Sequence, residues 1–403
     1  MKKFIALGIT MCLLFLVGCS NQKTSSEKEK DILSKNYKEI EEIAKGTTVN
    51  FYGWGGNEVL NKWFDSYVVS NMKDKYDIKV KRVGMDIDNI MNKLMSEKQV
   101  KNDKGTIDVF WVNGENFKMA KDNNLLFGPF TNKIENYEKY VDTKSKDITT
   151  DFGTDVDNME SPWGKASFTV FKNSSKVNEN ITDTKTLKES IMKNPGKFTY
   201  PAPPDFTGSA FVRNVIYDIV GYEKLKNLSE NEEEVRKTIQ PAIGYLNEIK
   251  PYLWNKGQTY PATIAQLDNM YSDGEVNFSM TYAPNEVEGK INSGEFDKKT
   301  EFINFKKGNI SNTHFLAIPK NSSNKAGAMV LINYLTSIDA QASKTEPKNW
   351  GDMTIIDLDK ISKDEKSKFK NSVQLKNQVP EIKASLVPII EKIWMEEVSK
   401  SNE

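Results

Sequence analysis

Residues 47–56 read Thr47-Thr48-Val49-Asn50-Phe51-Tyr52-Gly53-Trp54-Gly55-Gly56. Thr47 to Tyr52 reads as a strand that runs straight into a glycine-rich turn. The next apolar residues, Val59, Leu60, Trp63, Phe64, Tyr67, Val68 and Met72, fall on one helical face. A second strand, Ile78 to Val83, is followed by a helix face of Ile87, Ile90, Met91, Leu94 and Met95, with Asp86 at the cap position. Ile107 to Val112 is a third strand, and Asn113 is placed to cap the helix after it. Strands alternating with helices predict a parallel sheet covered on both faces.

The pattern outward from this unit is similar. Ile32 to Ala44 is a short helix ended by Gly46, before the first strand. After a loop, Ala166 to Phe171 and Lys197 to Tyr200 read as strands, with a helix at Thr186 to Lys193 between them. A helix covers Phe211 to Val220 and another starts in the acidic stretch Ser229 to Glu234. Ala262 to Tyr271 is helical, Val276 to Thr281 a strand, and Phe302 to Phe305 and His314 to Ile318 further strands. Helices at Asn324 to Thr336 and Glu381 to Ser399 close the chain.

The segment Ala317-Ile318-Pro319-Lys320-Asn321-Ser322-Ser323-Asn324-Lys325-Ala326-Gly327-Ala328, with Ala340-Gln341-Ala342 beyond it, resembles the substrate-binding lipoproteins of bacterial ABC importers. Asp273-Gly274-Glu275-Val276 before a strand is similar to that superfamily too. Thr47 to Gly56 and Asn349-Trp350-Gly351-Asp352 resemble its YnjB-like subfamily, which is related to thiamine, polyamine and iron binders. The resemblance covers nearly all of the mature chain. It implies an α/β fold of two lobes, the type II periplasmic-binding-protein arrangement, with crossing hinge strands and a ligand cleft. The expected division is residues 46–164 plus 317–352 for the first lobe and 165–316 plus 353–403 for the second.

The N-terminus reads as an export signal over residues 1–18. Lys2 and Lys3 precede an uncharged run of 14 residues, Phe4 to Val17, shorter than the ~20 that span a bilayer. Leu16-Val17-Gly18-Cys19 resembles a lipobox, which implies cleavage before Cys19 and a diacylglycerol on its sulfur. Two acyl chains hold a protein on a membrane where one barely does. Ser20 to Lys30 carries no apolar residue and reads as a tether within an anchor segment of residues 19–45. The expected location is the outer face of the cell membrane.

Composition narrows the function. The 403-residue chain has 56 basic and 56 acidic residues, so it lacks the field a nucleic-acid partner would demand. Removing the signal leaves a net charge of −2. With only Cys12, Cys19 and His314, no disulfide framework, Cys/His metal site or cofactor is expected, and no catalytic set is legible.

The candidate ligand residues follow from element ends. Ligands of open α/β sheets lie at strand carboxyl ends, which points to Trp54, Gly55 and Gly56 after the first strand. Trp111, Asn113, Glu115 and Asn116 after the third strand are placed alike. Phe206, Thr207, Gly208 and Ser209 open a helix whose free N–H groups favour anions. Either Thr207 or Ser209 is able to cap it, and Arg213 lies one turn on. Trp163, Trp254, Tyr260 and Tyr282 are aromatics near hinges or strand ends that suit a ring or a cation.

The function implied is a solute-binding lipoprotein that performs no reaction and feeds an ABC permease by lobe closure. A ligand sensor or adhesin on the same fold, and an exported carboxylate-based hydrolase, are the alternatives.

Overall fold

A computed structural model describes residues 31–370 and 377–400; the signal, Cys19 and the tether lie outside them. The strands of the two main sheets are β1 Thr48–Gly53, β2 Lys79–Gly84, β3 Val109–Val112, β4 Glu160–Ser167, β5 Thr169–Asn173, β6 Phe278–Thr281, β7 Thr300–Ile303, β8 Asn309–Ala317 and β9 Gln378–Pro380.

The first sheet runs β2-β1-β3-β8-β4. Strands β1, β2 and β3 are parallel, as the alternating pattern predicts. Strand β8 returns antiparallel to β3, pairing Phe315 with Val112 and Ala317 with Phe110. Side chains alternate between faces, so Val109 and Leu316 enter one core cluster while Phe110, Val112, Phe315 and Ala317 enter another. The sheet is therefore buried on both sides. The helix after β1 runs from Glu58 to Tyr76, passing through a π-helical turn at Phe64–Val68.

The second sheet is smaller and departs from the expected repeat. Its order is β6-β5-β7, all antiparallel. Lys197 to Tyr200 is not a strand: its carbonyls make single bonds, Lys197 to the Asn277 N–H and Phe198 to the Trp254 N–H. The helices Phe206–Val220, Glu232–Ile249 and Leu386–Trp394 pack on this sheet in a separate core.

The lobes are joined where the sequence showed one strand and the structure has two. β4 pairs antiparallel with β8 from Ser167–Ser311 to Glu160–Ala317, with an irregularity between His314 and Phe315. At Phe168, whose N–H donates to Ile310, the chain leaves this pair and becomes β5 of the second sheet. The chain passes between the cores again after Phe369, which packs in the first, and before Ile382, which packs in the second. Ile355, Ile356 and Ile361 also pack in the first core. β9 joins this third passage to Asn309–Ser311 of β8.

One feature of the junction runs against ordinary satisfaction rules. Glu160 is buried and neither carboxylate oxygen has a hydrogen-bond partner. Burial raises its pKa far above the carboxylate range, helped by the charge of Asp151. Burial therefore favours the neutral form of Glu160, the cheaper one in a dry site.

Candidate functional site

The carboxyl ends of β1, β2 and β3 face the junction of the lobes. Trp54, Met85, Asp86, Trp111, Asn113 and Asn116 line a cavity of about 260 Å³ there. Trp54 is half-exposed, and its indole lies over Gly56, where any Cβ would collide with the ring. Gly55 lies against the backbone of Gly84, a close approach between the ends of β1 and β2. Asp86 and Asn113 sit at cap positions but make no side-chain cap bond. Asn113 instead accepts from Trp111 Nε1 at 2.8 Å and donates to the Thr313 carbonyl at 3.1 Å. That pins Trp111 to the crossing strand β8. Glu115 is exposed and lies outside this cavity.

Trp163 is placed in the first core, 1% exposed, with its ring 5.1 Å from Trp111 and 4.8 Å from Trp350. It supports the cavity wall from behind. His314 completes this aromatic group, 5.0 Å from Trp111 and stacked 5.9 Å from Trp350. His314 Nε2 is 3.3 Å from Asp352 Oδ1, and Lys344 Nζ is 2.6 Å from Asp352 Oδ2. Burial lowers the pKa of the Lys344 ammonium, and Asp352 opposes that shift.

On the second lobe the expected anion site is already filled. Asp205, not Thr207 or Ser209, caps the helix, accepting from the N–H groups of Thr207 and Gly208 at 3.0 and 2.9 Å. A Cβ at Gly208 would collide with the carbonyl of Pro201, so this glycine serves close packing. Ser209 Oγ donates to Glu391 at 2.5 Å and accepts from Arg213 at 2.6 Å. Arg213 also grips Glu381 with two bonds, at 3.1 and 2.8 Å, in a pair that is almost wholly buried. Tyr282 donates its hydroxyl to the same Glu381 at 2.9 Å.

Phe206 stays open, 56% exposed, with its ring 4.8 Å from Tyr282. Trp254 is not brought to them. It donates to Glu275 at 2.7 Å, before the start of β6, whereas Tyr282 follows the end of that strand. Tyr260 packs in the second core beside Tyr200 and Trp394.

Two residues outside the sequence candidates connect the lobes. Asn57, just after Gly56, donates to Glu286 Oε1 at 3.0 Å. Glu286 lies in the first turn of the helix Pro284–Ser293, which follows β6. The signal for Glu286 was present: a strand end, then Pro284 at the first helical position. Both line a second cavity of about 1020 Å³ between the lobes.

The family model for bacterial extracellular solute-binding proteins matches residues 68–355. The chain belongs to that family. It is 31% identical over 366 residues to Protein YnjB of Escherichia coli strain K12, covering 90% of this chain and 94% of that one. The two-lobed α/β fold is shared with an ABC transporter structure from Clostridium perfringens, at a TM-score of 0.61 and 17% identity over 87% of this chain and 98% of that one. A Trichodesmium protein (IdiA, FutA) solved with iron and citrate matches at a TM-score of 0.60 and 16% identity, over 88% of this chain and all 100% of that one. As a solute-binding protein the chain is a transport component rather than a catalyst, so its chemistry is recognition. Among the described residues no group of three or more His, Cys, Asp or Glu forms a metal site, and no helix is long and apolar enough to cross a membrane.

Proposed function

We propose that this solute-binding protein is the receptor of an ABC importer and hands a small molecule to the permease by closing its lobes. The observation that supports closure most is the Asn57–Glu286 hydrogen bond, a contact between lobes beside the strand ends. Closure gains free energy only from contacts absent in the open form, and such a contact is one of them. The crossing pair β4–β8 is where bending occurs, since it carries the irregularity at His314 and Phe315.

The ligand sits between Trp54, Gly55, Gly56, Trp111 and Asn113 on the first lobe and Phe206 and Tyr282 on the second. Thr207 and Ser209 act behind it, as part of the scaffold. The first lobe comprises residues 31–164 and 317–369, following the cores: Ile32, Ile40 and Ala44 pack in the first one. Cys19 carries the lipid that holds the protein on the outer face of the membrane, a reading supported by the lipobox resemblance alone. The partners are the solute, the permease and the bilayer.

The test is a thermal-shift screen of amines, organic acids and sugar phosphates, followed by small-angle scattering with each stabilising compound. A smaller radius of gyration with bound solute is expected. An unchanged radius, with binding confirmed by calorimetry, overturns closure. For the anchor, Cys19→Ala is expected to abolish incorporation of labelled palmitate, and retained label overturns it.

A further inference from the structure

The helix Gly114–Asp122, which follows β3, starts without the cap its own sequence offers. Asn113 stands at the cap position, but its Oδ1 accepts from Trp111 Nε1 and its Nδ2 donates to the Thr313 carbonyl. An amide oxygen spent on the indole is not turned to the helix N–H groups. The first helical residue, Gly114, has a φ of +58° and donates its N–H to Asp151 Oδ2 at 2.5 Å. Asp151 comes from a distant segment, the small hairpin in which Thr150–Asp151 pairs with Thr154–Asp155. A Cβ on Gly114 would stand 3.2 Å from the Phe152 ring, so hairpin and helix start pack closely. The hairpin is tied in turn to the crossing strand, because Thr313 Oγ1 donates at 2.6 Å to the carbonyl of Asp147, in the helical turn just before it.

Asp151 is kept at a cost. It is 2% exposed, and burial pushes its carboxyl up to about 8, with the Gly114 N–H pulling it down. A buried acid facing a backbone N–H is a more expensive cap than a local Asn. Capping alone therefore does not account for it, since Asn113 already stands where a cap is made. What the exchange provides is an Asn113 free to hold Trp111 on the wall of the 260 Å³ cavity.

We propose that Asp151 is a positioning residue for the solute cavity: by taking the Gly114 N–H from across the fold, it leaves Asn113 to set the Trp111 indole on the cavity wall. The inference rests on the receptor reading only for what that wall is for. The linkage from Asp151 through Asn113 to Trp111 is tested without any solute, so either is able to fail alone.

The experiment records the indole N–H signals of the seven tryptophans by nitrogen-15 correlation NMR on the lipid-free mature chain, with Trp111 assigned from Trp111→Phe. Asn113→Ala supplies the signature of a released indole. Asp151→Ala is expected to move the Trp111 signal in the same direction, as Asn113 turns back to the helix. Its hydrogen exchange is expected to quicken about two- to tenfold, the scale of one neutral hydrogen bond. Asp151→Asn, which keeps an acceptor for Gly114, is expected to restore the wild-type signal. Trp394, in the core of the other lobe, stays in place throughout. An unmoved Trp111 signal in a folded Asp151→Ala overturns the inference. Equal displacement of all seven signals marks a merely structural role and also overturns it. Where Asp151→Ala does not fold, Asp151→Leu removes the acceptor at similar volume and is read in the same way. In the wild type itself, a Gly114 amide that exchanges as fast as an unbonded one overturns the inference with no variant at all.

Discussion

The two lobes bring opposite surfaces to the cleft. The first lobe offers strand ends whose side chains are only partly committed: Trp54 is half-exposed and Asp86 leaves its helix cap unmade, while Asn113 is taken up by Trp111 and Thr313. The second lobe offers a helix start whose polar groups are already spent on one another. Asp205 holds the N–H groups of Thr207 and Gly208, and Glu391, Ser209, Arg213, Glu381 and Tyr282 form one continuous chain of contacts. The difference teaches that a helix N-terminus at a cleft is an anion site only if the protein has not supplied the anion itself. One lobe keeps an aromatic side chain open at its strand ends; the helix start of the other is held by its own polar network.

The largest expected effect breaks the rigid side. Arg213→Met strands the buried Glu381 and is expected to cost about 3–5 kcal/mol of stability by urea denaturation. A loss below about 1 kcal/mol, the scale of an exposed pair, would show that this lobe is not held by the network. Next is the dependence of stability on pH. With the Glu286 carboxyl pushed up to about 7, it is about nine-tenths ionised at pH 8 and about one-tenth at pH 6. Asp352 and Asp268 push the same group up and Lys290 pulls it down. A raised acid favours the folded state at low pH, and that contribution is lost as pH rises through about 7; urea denaturation of wild type and Glu286→Gln is expected to show the wild type alone losing stability over that window, and parallel curves would remove the effect.

Asp205→Ala sharpens the comparison. Removing the cap should cost about 1 kcal/mol of stability and leave two N–H groups free. The variant is expected to gain phosphate affinity over wild type in calorimetry; no gain would mean that the helix start is closed by more than Asp205. The smallest effect is on the open side. Trp54→Ala should leave stability within about 0.5 kcal/mol and weaken binding of a ring or cationic solute found by the thermal-shift screen by about 0.5–1 kcal/mol, as an exposed aromatic face does. Unchanged binding would remove Trp54 from the ligand wall.

Much of the fold was legible in the chain. The strand at Thr47 to Tyr52 and the apolar periods after it indicated a parallel unit, because side-chain spacing of two and of 3.6 is a local property. The stretch around Ala317 to Ala328 identified the family type for the same reason: a strand, a Pro turn and a helix are adjacent in sequence. What escaped was non-local. The break at Phe168 that divides β4 from β5 depends on β8, whose Ile310 accepts the Phe168 N–H across 142 residues of chain. Trp163 and Trp54 look alike in sequence, yet one is buried behind the wall and the other stands on it. Ser209 and Thr207 read as ligand hydroxyls until Glu391, Arg213 and Asp205 are seen to occupy the groups around them. Sequence alone determined which elements form and which of their ends are rich in polar and aromatic groups. Only tertiary structure decided which of those groups remain unpaired at the cleft, because a hydrogen bond or ion pair takes its partner from whatever the fold brings within about 3 Å.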